Sequence, residues 1–146
     1  MILATLALIG VFVSTYLTLF KLGYIGELKC SVGSCETVNT SQWAIFLGLP
    51  VAAWGLGFYV FALFVAMLGV KEKFADSRAF SVALVALTGW GLLFSAWLTY
   101  LELFVINAIC IWCVTSACIV AIMFFVSMAD LREFRLPNKE TAQENR

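Results

Sequence analysis

Cys110-Ile111-Trp112-Cys113-Val114-Thr115-Ser116-Ala117-Cys118-Ile119-Val120-Ala121-Ile122-Met123-Phe124-Phe125-Val126-Ser127-Met128-Ala129 carries no charge along its whole length and opens on a Cys-x-x-Cys pair. Crossing a bilayer as a helix takes about 20 predominantly apolar residues, and this stretch has that length. Working outward, three more apolar runs precede it. They are Ile2 to Phe20, Trp43 to Val70 with Pro50 inside it, and Ala79 to Ile109, interrupted only by Glu102. None of them alternates apolar with polar, and only helices or closed barrels satisfy their backbone in lipid. The reading is an all-α integral membrane protein with a four-transmembrane-helix bundle as one domain over residues 1–129.

Composition agrees. Of 146 residues, 63% are hydrophobic and 12% charged, with a mean hydropathy of +1.00. Soluble domains are about half apolar and about a quarter charged. The pI of about 6.2 and the lack of a phosphate-binding loop give no support to a nucleic-acid partner. The first run has no basic stretch before it and no small-x-small cleavage site before Lys21, and it is long for a signal peptide. It reads as a retained helix. Residues 130–146 are polar, contain Pro137 and lack apolar periodicity, so they read as a disordered cytoplasmic tail.

Basic residues in short loops mark the cytoplasmic side. Lys71, Lys73 and Arg78 lie between the second and third runs, and Arg132, Arg135, Lys139 and Arg146 follow the fourth. That is seven of the nine basic residues. Both termini are expected inside, and the loop over residues 21–42 outside, together with the Cys110 end of the fourth helix. Two cysteine pairs, Cys30/Cys35 and Cys110/Cys113, then meet on one extracytoplasmic face. The orientation was reached from charge alone, so this convergence is independent support for a shared site.

Asn107 is a good N-cap type, and a helix starting there places Cys110 in the first turn, where free backbone N–H groups stabilise a thiolate. Cysteines at i and i+3 share a face and form an exchangeable disulfide. Cys30-Ser31-Val32-Gly33-Ser34-Cys35 reads as a flexible, solvated loop whose pair oxidises on that side of the membrane. The blander alternatives are two core cysteines at helical spacing and a static structural disulfide. A four-thiolate zinc site has the nominal spacing, but one knuckle would sit at the membrane boundary without a polar shell, so no metal is expected. Cys118 lies eight positions from Cys110 and five from Cys113, off the reactive face at 100° per residue.

Trp54, Phe58, Tyr59, Trp90, Phe94, Trp97 and Tyr100 recur at helical intervals. They suit a flat ring held between helices near Cys113, a membrane quinone for example, although such stripes are also ordinary packing and interfacial belts. Glu102 is expected at the membrane interface, because a carboxyl at mid-bilayer costs about 2.5–3.5 kcal/mol or more. A proton-transfer role is open to it.

The chain resembles the vitamin K epoxide reductase family. The resemblance rests on Cys30/Cys35, Val38-Asn39, Ser41-Gln42-Trp43, Gly48-x-Pro50, Trp54-Gly55 with Tyr59, Tyr100-Leu101, and Cys110-Ile111-Trp112-Cys113-Val114-Thr115. It implies a four-helix bundle around a quinone, capped by the cysteine-bearing loop, with Ser41 on the capping segment; with it, Trp54, Phe58 and Tyr59 of the aromatic recurrence are the expected quinone-binding or capping residues. It assigns Cys30 to exchange with a thioredoxin-fold partner, Cys35 to exchange with Cys110, and Cys113 to the quinone. Vertebrate members place an Asn and a Tyr against the ring where this chain has Val51 and Ala117, which favours a plain quinone over vitamin K epoxide. Many bacterial members carry a fused thioredoxin-like domain; ending at Arg146, this chain is expected to use a separate partner.

The expectation is therefore a thiol oxidase that supports disulfide formation, drawing on the ubiquinone, menaquinone or vitamin K type pool. The setting is a prokaryotic plasma membrane, or the endoplasmic reticulum in a eukaryote. The alternatives are a vitamin K epoxide or quinone reductase, and a non-catalytic membrane protein with structural disulfides.

Overall fold

The computed structural model describes residues 1–30, 33–69 and 77–133. Four of its helices are long and apolar enough to cross a membrane. They are α1 (Ile2–Lys21), α3 (Val51–Leu68), α4 (Arg78–Leu101) and α5 (Ile111–Glu133), and a short α2 (Cys35–Thr40) lies between the first two. The four-helix expectation holds, with corrections at the helix ends. The run from Trp43 to Val70 is helical only from Val51. Its first residues form a 3₁₀ turn, Gln42–Ala44, and a hairpin of β1 (Ile45–Phe46) with β2 (Leu49–Pro50). Leu47 and Gly48 join the strands with φ of 53° and 81°, the positive values a tight two-residue hairpin turn requires. Pro50 brings no N–H, and the helix starts directly after it.

The third run also ends early. α4 passes into a π-helical segment, Glu102–Ile106, closed by Asn107 at a left-handed φ of 53°. Asn107 therefore ends the third span and does not begin the fourth. α5 continues to Glu133, so the first residues of the expected tail, from Asp130, are helical. The rest of that tail lies outside the described residues, as do Ser31, Val32 and the segment bearing Lys71 and Lys73.

The bundle is two helix pairs. α1 lies along α3 and α4 along α5, α1 meets α5 between the pairs, and α3 scarcely touches α4. Lipid gives helices no hydrophobic drive to associate, so close approach at small residues does the work. Gly10 of α1 lets the Tyr59 ring lie against its backbone, where a Cβ would collide with it, and Gly91 of α4 receives Phe58 in the same way. Ala7, Tyr59, Ala62, Val120 and Met123 form the mid-bundle core. Hydroxyls in the spans bond to carbonyls: Thr15 Oγ1 donates to Val11 at 2.7 Å and Thr88 Oγ1 to Leu84 at 2.8 Å. Ser81 Oγ ties α4 to Asp130 of α5 at 3.0 Å.

Candidate functional site: two dithiols above an aromatic cavity

The outer cysteines are disulfide-bonded, Cys30 to Cys35, with Cα atoms 6.2 Å apart. The loop is held more firmly than its composition suggests. Lys29 is clamped on both sides: its N–H donates to the Tyr16 hydroxyl at 3.2 Å, and its carbonyl accepts from Trp112 Nε1 at 3.2 Å. The Tyr16 and Trp112 rings lie 5.2 Å apart. Cys35 opens α2 and is only 1% exposed, which corrects the picture of a freely solvated pair. Cys30, half-buried, is the member nearer solvent.

The inner pair is free. Cys110 is wholly buried and packs in one cluster with Cys35, Val38 and Leu17. Gly33 forms an antiparallel bridge with Cys110, and Ser34 N–H donates to the Ile109 carbonyl at 2.9 Å. The outer loop is thus stitched to the connector that leads into α5. Cys110 occupies the capping position of that helix. Its carbonyl accepts from Val114 N–H at 3.0 Å, and its sulfur accepts from the backbone N–H groups of Trp112 and Cys113. The cap assigned to Asn107 is supplied by Cys110 itself.

Cys110 lies in the connector outside the spans. The thiol hydrogen bond from Cys113, followed by those backbone donors, holds its thiol below the ordinary thiol value, against burial and the nearby Glu102 carboxylate. Asn39 of α2 leans on the same sulfur. Its Nδ2 stands 3.7 Å from Cys110 Sγ and donates to the Cys35 carbonyl at 2.9 Å. The Asn39 carbonyl in turn accepts from Lys21 Nζ at 2.7 Å. Neither contact was legible from spacing, because both cross between elements far apart in sequence.

Glu102 is the larger addition. It is 5% exposed, enclosed by the protein at the end of the third span where the sequence reading left its surroundings open. The π-helical turn beginning at this residue brings its carboxylate back over the connector. There Oε2 accepts from Cys110 N–H at 3.2 Å, and the carboxylate faces the Cys113 thiol as a hydrogen-bond acceptor. One carboxylate in an apolar run, eight residues before Cys110, was the available signal.

Below the cysteines lies a cavity of about 770 Å³, reached by all four spanning helices and roofed by the 41–50 segment. Cys113 is on its wall, with Glu102 beside it. Ser41, Trp54, Phe58 and Tyr59 all line it, as do Trp90 and Phe94, whereas Trp97 faces a smaller outer pocket beneath the hairpin. Tyr100 stacks on Phe104 at 4.9 Å and lines neither space. Phe46 fixes the roof. Its ring packs edge-on to Trp54, Phe94 and Trp97 with centroids 5.9–6.4 Å apart, and its carbonyl accepts from Trp54 Nε1 at 3.0 Å. Val51 and Ala117 present apolar surface to the cavity. Cys118 is exposed on the outer face of α5.

The lining suits a flat, apolar ring. Aromatic and aliphatic walls surround it, with Ser41, Asn39, Ser95 and Thr99 among its scattered polar groups and Lys21 and Glu102 its charged ones. Among the described residues, no group of three or more His, Cys, Asp or Glu side chains is placed to hold a metal ion. Residues 1–128 match the Vitamin K epoxide reductase family. Members of that family are membrane thiol–disulfide oxidoreductases that use quinones and work with redox partners. With the match running from α1 into α5, the chain belongs to the vitamin K epoxide reductase family.

Proposed function

We propose that the protein is a thiol oxidase that carries electron pairs from a thioredoxin-fold dithiol to a membrane quinone, and so sustains disulfide formation on the extracytoplasmic side. The observation that carries this reading is the order in depth. Cys30 stands nearest solvent, Cys35 and Cys110 share one buried cluster, and Cys113 lines the cavity.

The exchange steps balance on the chain's own sulfurs. A thiolate attacks a disulfide sulfur and displaces the other sulfur as a thiolate. A partner dithiol attacks Cys30, resolves as its own disulfide, and leaves Cys30 and Cys35 as thiols. Cys35 then attacks Cys110 of a Cys110–Cys113 disulfide and expels Cys113. Cys30 attacks Cys35, restores the outer disulfide and expels Cys110. The result is an oxidised outer pair and a reduced inner pair, the pairing seen here. A bound quinone supplies the two-electron acceptor that lets the Cys110–Cys113 bond form again. Ser41, Trp54, Phe58 and Tyr59 would hold its ring, and the Phe46 hairpin excludes water above it.

Val51 and Ala117 offer no hydrogen-bond donor to an epoxide oxygen, which favours a plain quinone as acceptor. The basic residues beyond α3 and α5 support cytoplasmic termini and extracytoplasmic cysteines. Residues 1–129 act as the membrane domain, with the tail apart from the chemistry. The test is turnover in lipid of a quinone with a reduced thioredoxin-fold protein as donor. Quinol forming with wild type but not with Cys113→Ala is expected. Full turnover in Cys113→Ala would remove the relay.

A further inference from the structure

Cys113 has a single thiol proton and two acceptors for it. One is the Cys110 sulfur and the other the Glu102 carboxylate. Glu102 is buried, touches both members of the inner pair, and lines the cavity below them. It reaches this place because the π-helical segment inserts an extra residue in the turn, a distortion frequent at functional sites. No described cation pairs with it. Lys21 lines the same cavity but is bound to the Asn39 carbonyl, and the Tyr59 hydroxyl is bound to Ser116. With Cys110 and Cys113, these are the titratable groups around the site among the described residues.

We propose that Glu102 is the base that takes the Cys113 thiol proton as the inner disulfide closes and passes it into the cavity. This rests on the relay reading above. The S–S bond forms as the Cys113 S–H bond breaks, and two electrons leave the sulfur pair for the quinone-class acceptor. The Cys113 proton goes to Glu102 and on to the acceptor. The acceptor's second proton comes from solvent, to which Cys110 lost its own on becoming a thiolate. A carboxylate here has a reason to outweigh its burial cost: without it, both the Cys110 N–H and the departing proton lack an acceptor.

Glu102→Gln separates the roles, since the amide oxygen still accepts from Cys110 N–H but is not a base. In the Cys118→Ala background without quinone, the infrared S–H stretch of Cys113 should move to higher frequency as its acceptor weakens. Transfer from a partner dithiol to the inner pair, read as free Cys110 and Cys113 by mass spectrometry, should stay within a few-fold of wild type. Quinone reduction at neutral pH should fall on the order of 10²–10⁴-fold and recover as pH rises and hydroxide replaces the base. Glu102→Asp should retain part of the rate, and it carries the test if the Gln variant does not assemble. An unshifted S–H band with wild-type turnover in Glu102→Gln overturns the proposal, and so does loss of inner-pair reduction, which would make Glu102 purely structural. Wild-type protein that itself fails to reduce quinone overturns the relay reading, a separate result.

Discussion

Gly33 pairs with Cys110 across an antiparallel bridge, which joins the outer disulfide's loop to the cap of the last helix through backbone alone. Gly33 has a φ of 93°, and a Cβ there would run into the Ile109 carbonyl. Gly33→Ala should therefore cost about 1–3 kcal/mol of backbone strain and undock the loop. The outer disulfide should still form and still react with a partner dithiol. Reduction of the Cys110–Cys113 pair, followed by quenched alkylation and mass spectrometry, should slow at least about tenfold, the equivalent of about 1.4 kcal/mol. Unchanged transfer in this variant would show that docking through Gly33 is not needed.

Removing a resolving thiol traps the bond it should have broken. Cys35→Ser should accumulate a covalent adduct in which the Cys30 thiolate has attacked the oxidised thioredoxin-fold partner and no Cys35 thiol remains to resolve it. Cys113→Ala should accumulate an internal Cys35–Cys110 bond, formed as the Cys110 thiolate attacks Cys35 of the outer disulfide and expels Cys30, with no Cys113 thiol to resolve it inward. Quinone reduction in both should drop to background. Non-reduced digests decide the matter: a static Cys30–Cys35 link in Cys113→Ala, with no Cys30 adduct in Cys35→Ser, would leave only a structural disulfide.

The Cys110 thiol sits below the ordinary thiol value chiefly through the hydrogen bond from Cys113. In protein with an intact outer disulfide and Cys118 replaced by alanine, thiolate absorbance should therefore begin to rise below the usual thiol range. Cys113→Ala removes the largest stabiliser, so the midpoint should move upward. A midpoint that stays put or falls would mean the helix-end N–H groups dominate.

Cys118 faces outward from α5, away from the inner pair. Cys118→Ala should keep quinone turnover within a few-fold. A loss as deep as that of Cys113→Ala would reassign the relay.

The proposed sidedness rests on the basic residues. An impermeant thiol reagent added outside intact cells should label Cys30 after reduction, whereas a tag after Arg146 should be reached only from the cytoplasm. The opposite pattern would invert the topology.

The four spans were legible because a charge-free run of bilayer length has one physical solution in water-free surroundings. The helix ends were not. Hydrophobicity does not distinguish the apolar hairpin at Ile45–Pro50 from the helix after it, and only Gly48 and Pro50 mark the change. Asn107 has a capping residue's chemistry but ends a π-helical turn, and the sulfur of Cys110 does the capping. Cys30, Cys35, Cys110 and Cys113 stood out by spacing, Trp54, Phe58 and Tyr59 by helical recurrence and Ser41 by resemblance; all lie at or above the cavity. Glu102 stood out as the one carboxyl in its run, but its enclosure beside the inner cysteines did not, because the average cost of a buried carboxyl says nothing of the donors waiting for this one. Asn39 went unassigned since its contact with Cys110 spans 71 residues.

α3 and α4 meet at few points, and Trp54 and Trp90 on those two helices are both cavity-lining and exposed, so their seam is where the cavity comes nearest to lipid. An acceptor entering there arrives sideways from the hydrocarbon and never crosses water. Its relevant concentration is then a mole fraction in lipid, so diluting the membrane with inert phospholipid at constant bulk quinone should slow the enzyme. Short-tailed quinones would compete according to their partitioning as much as their fit.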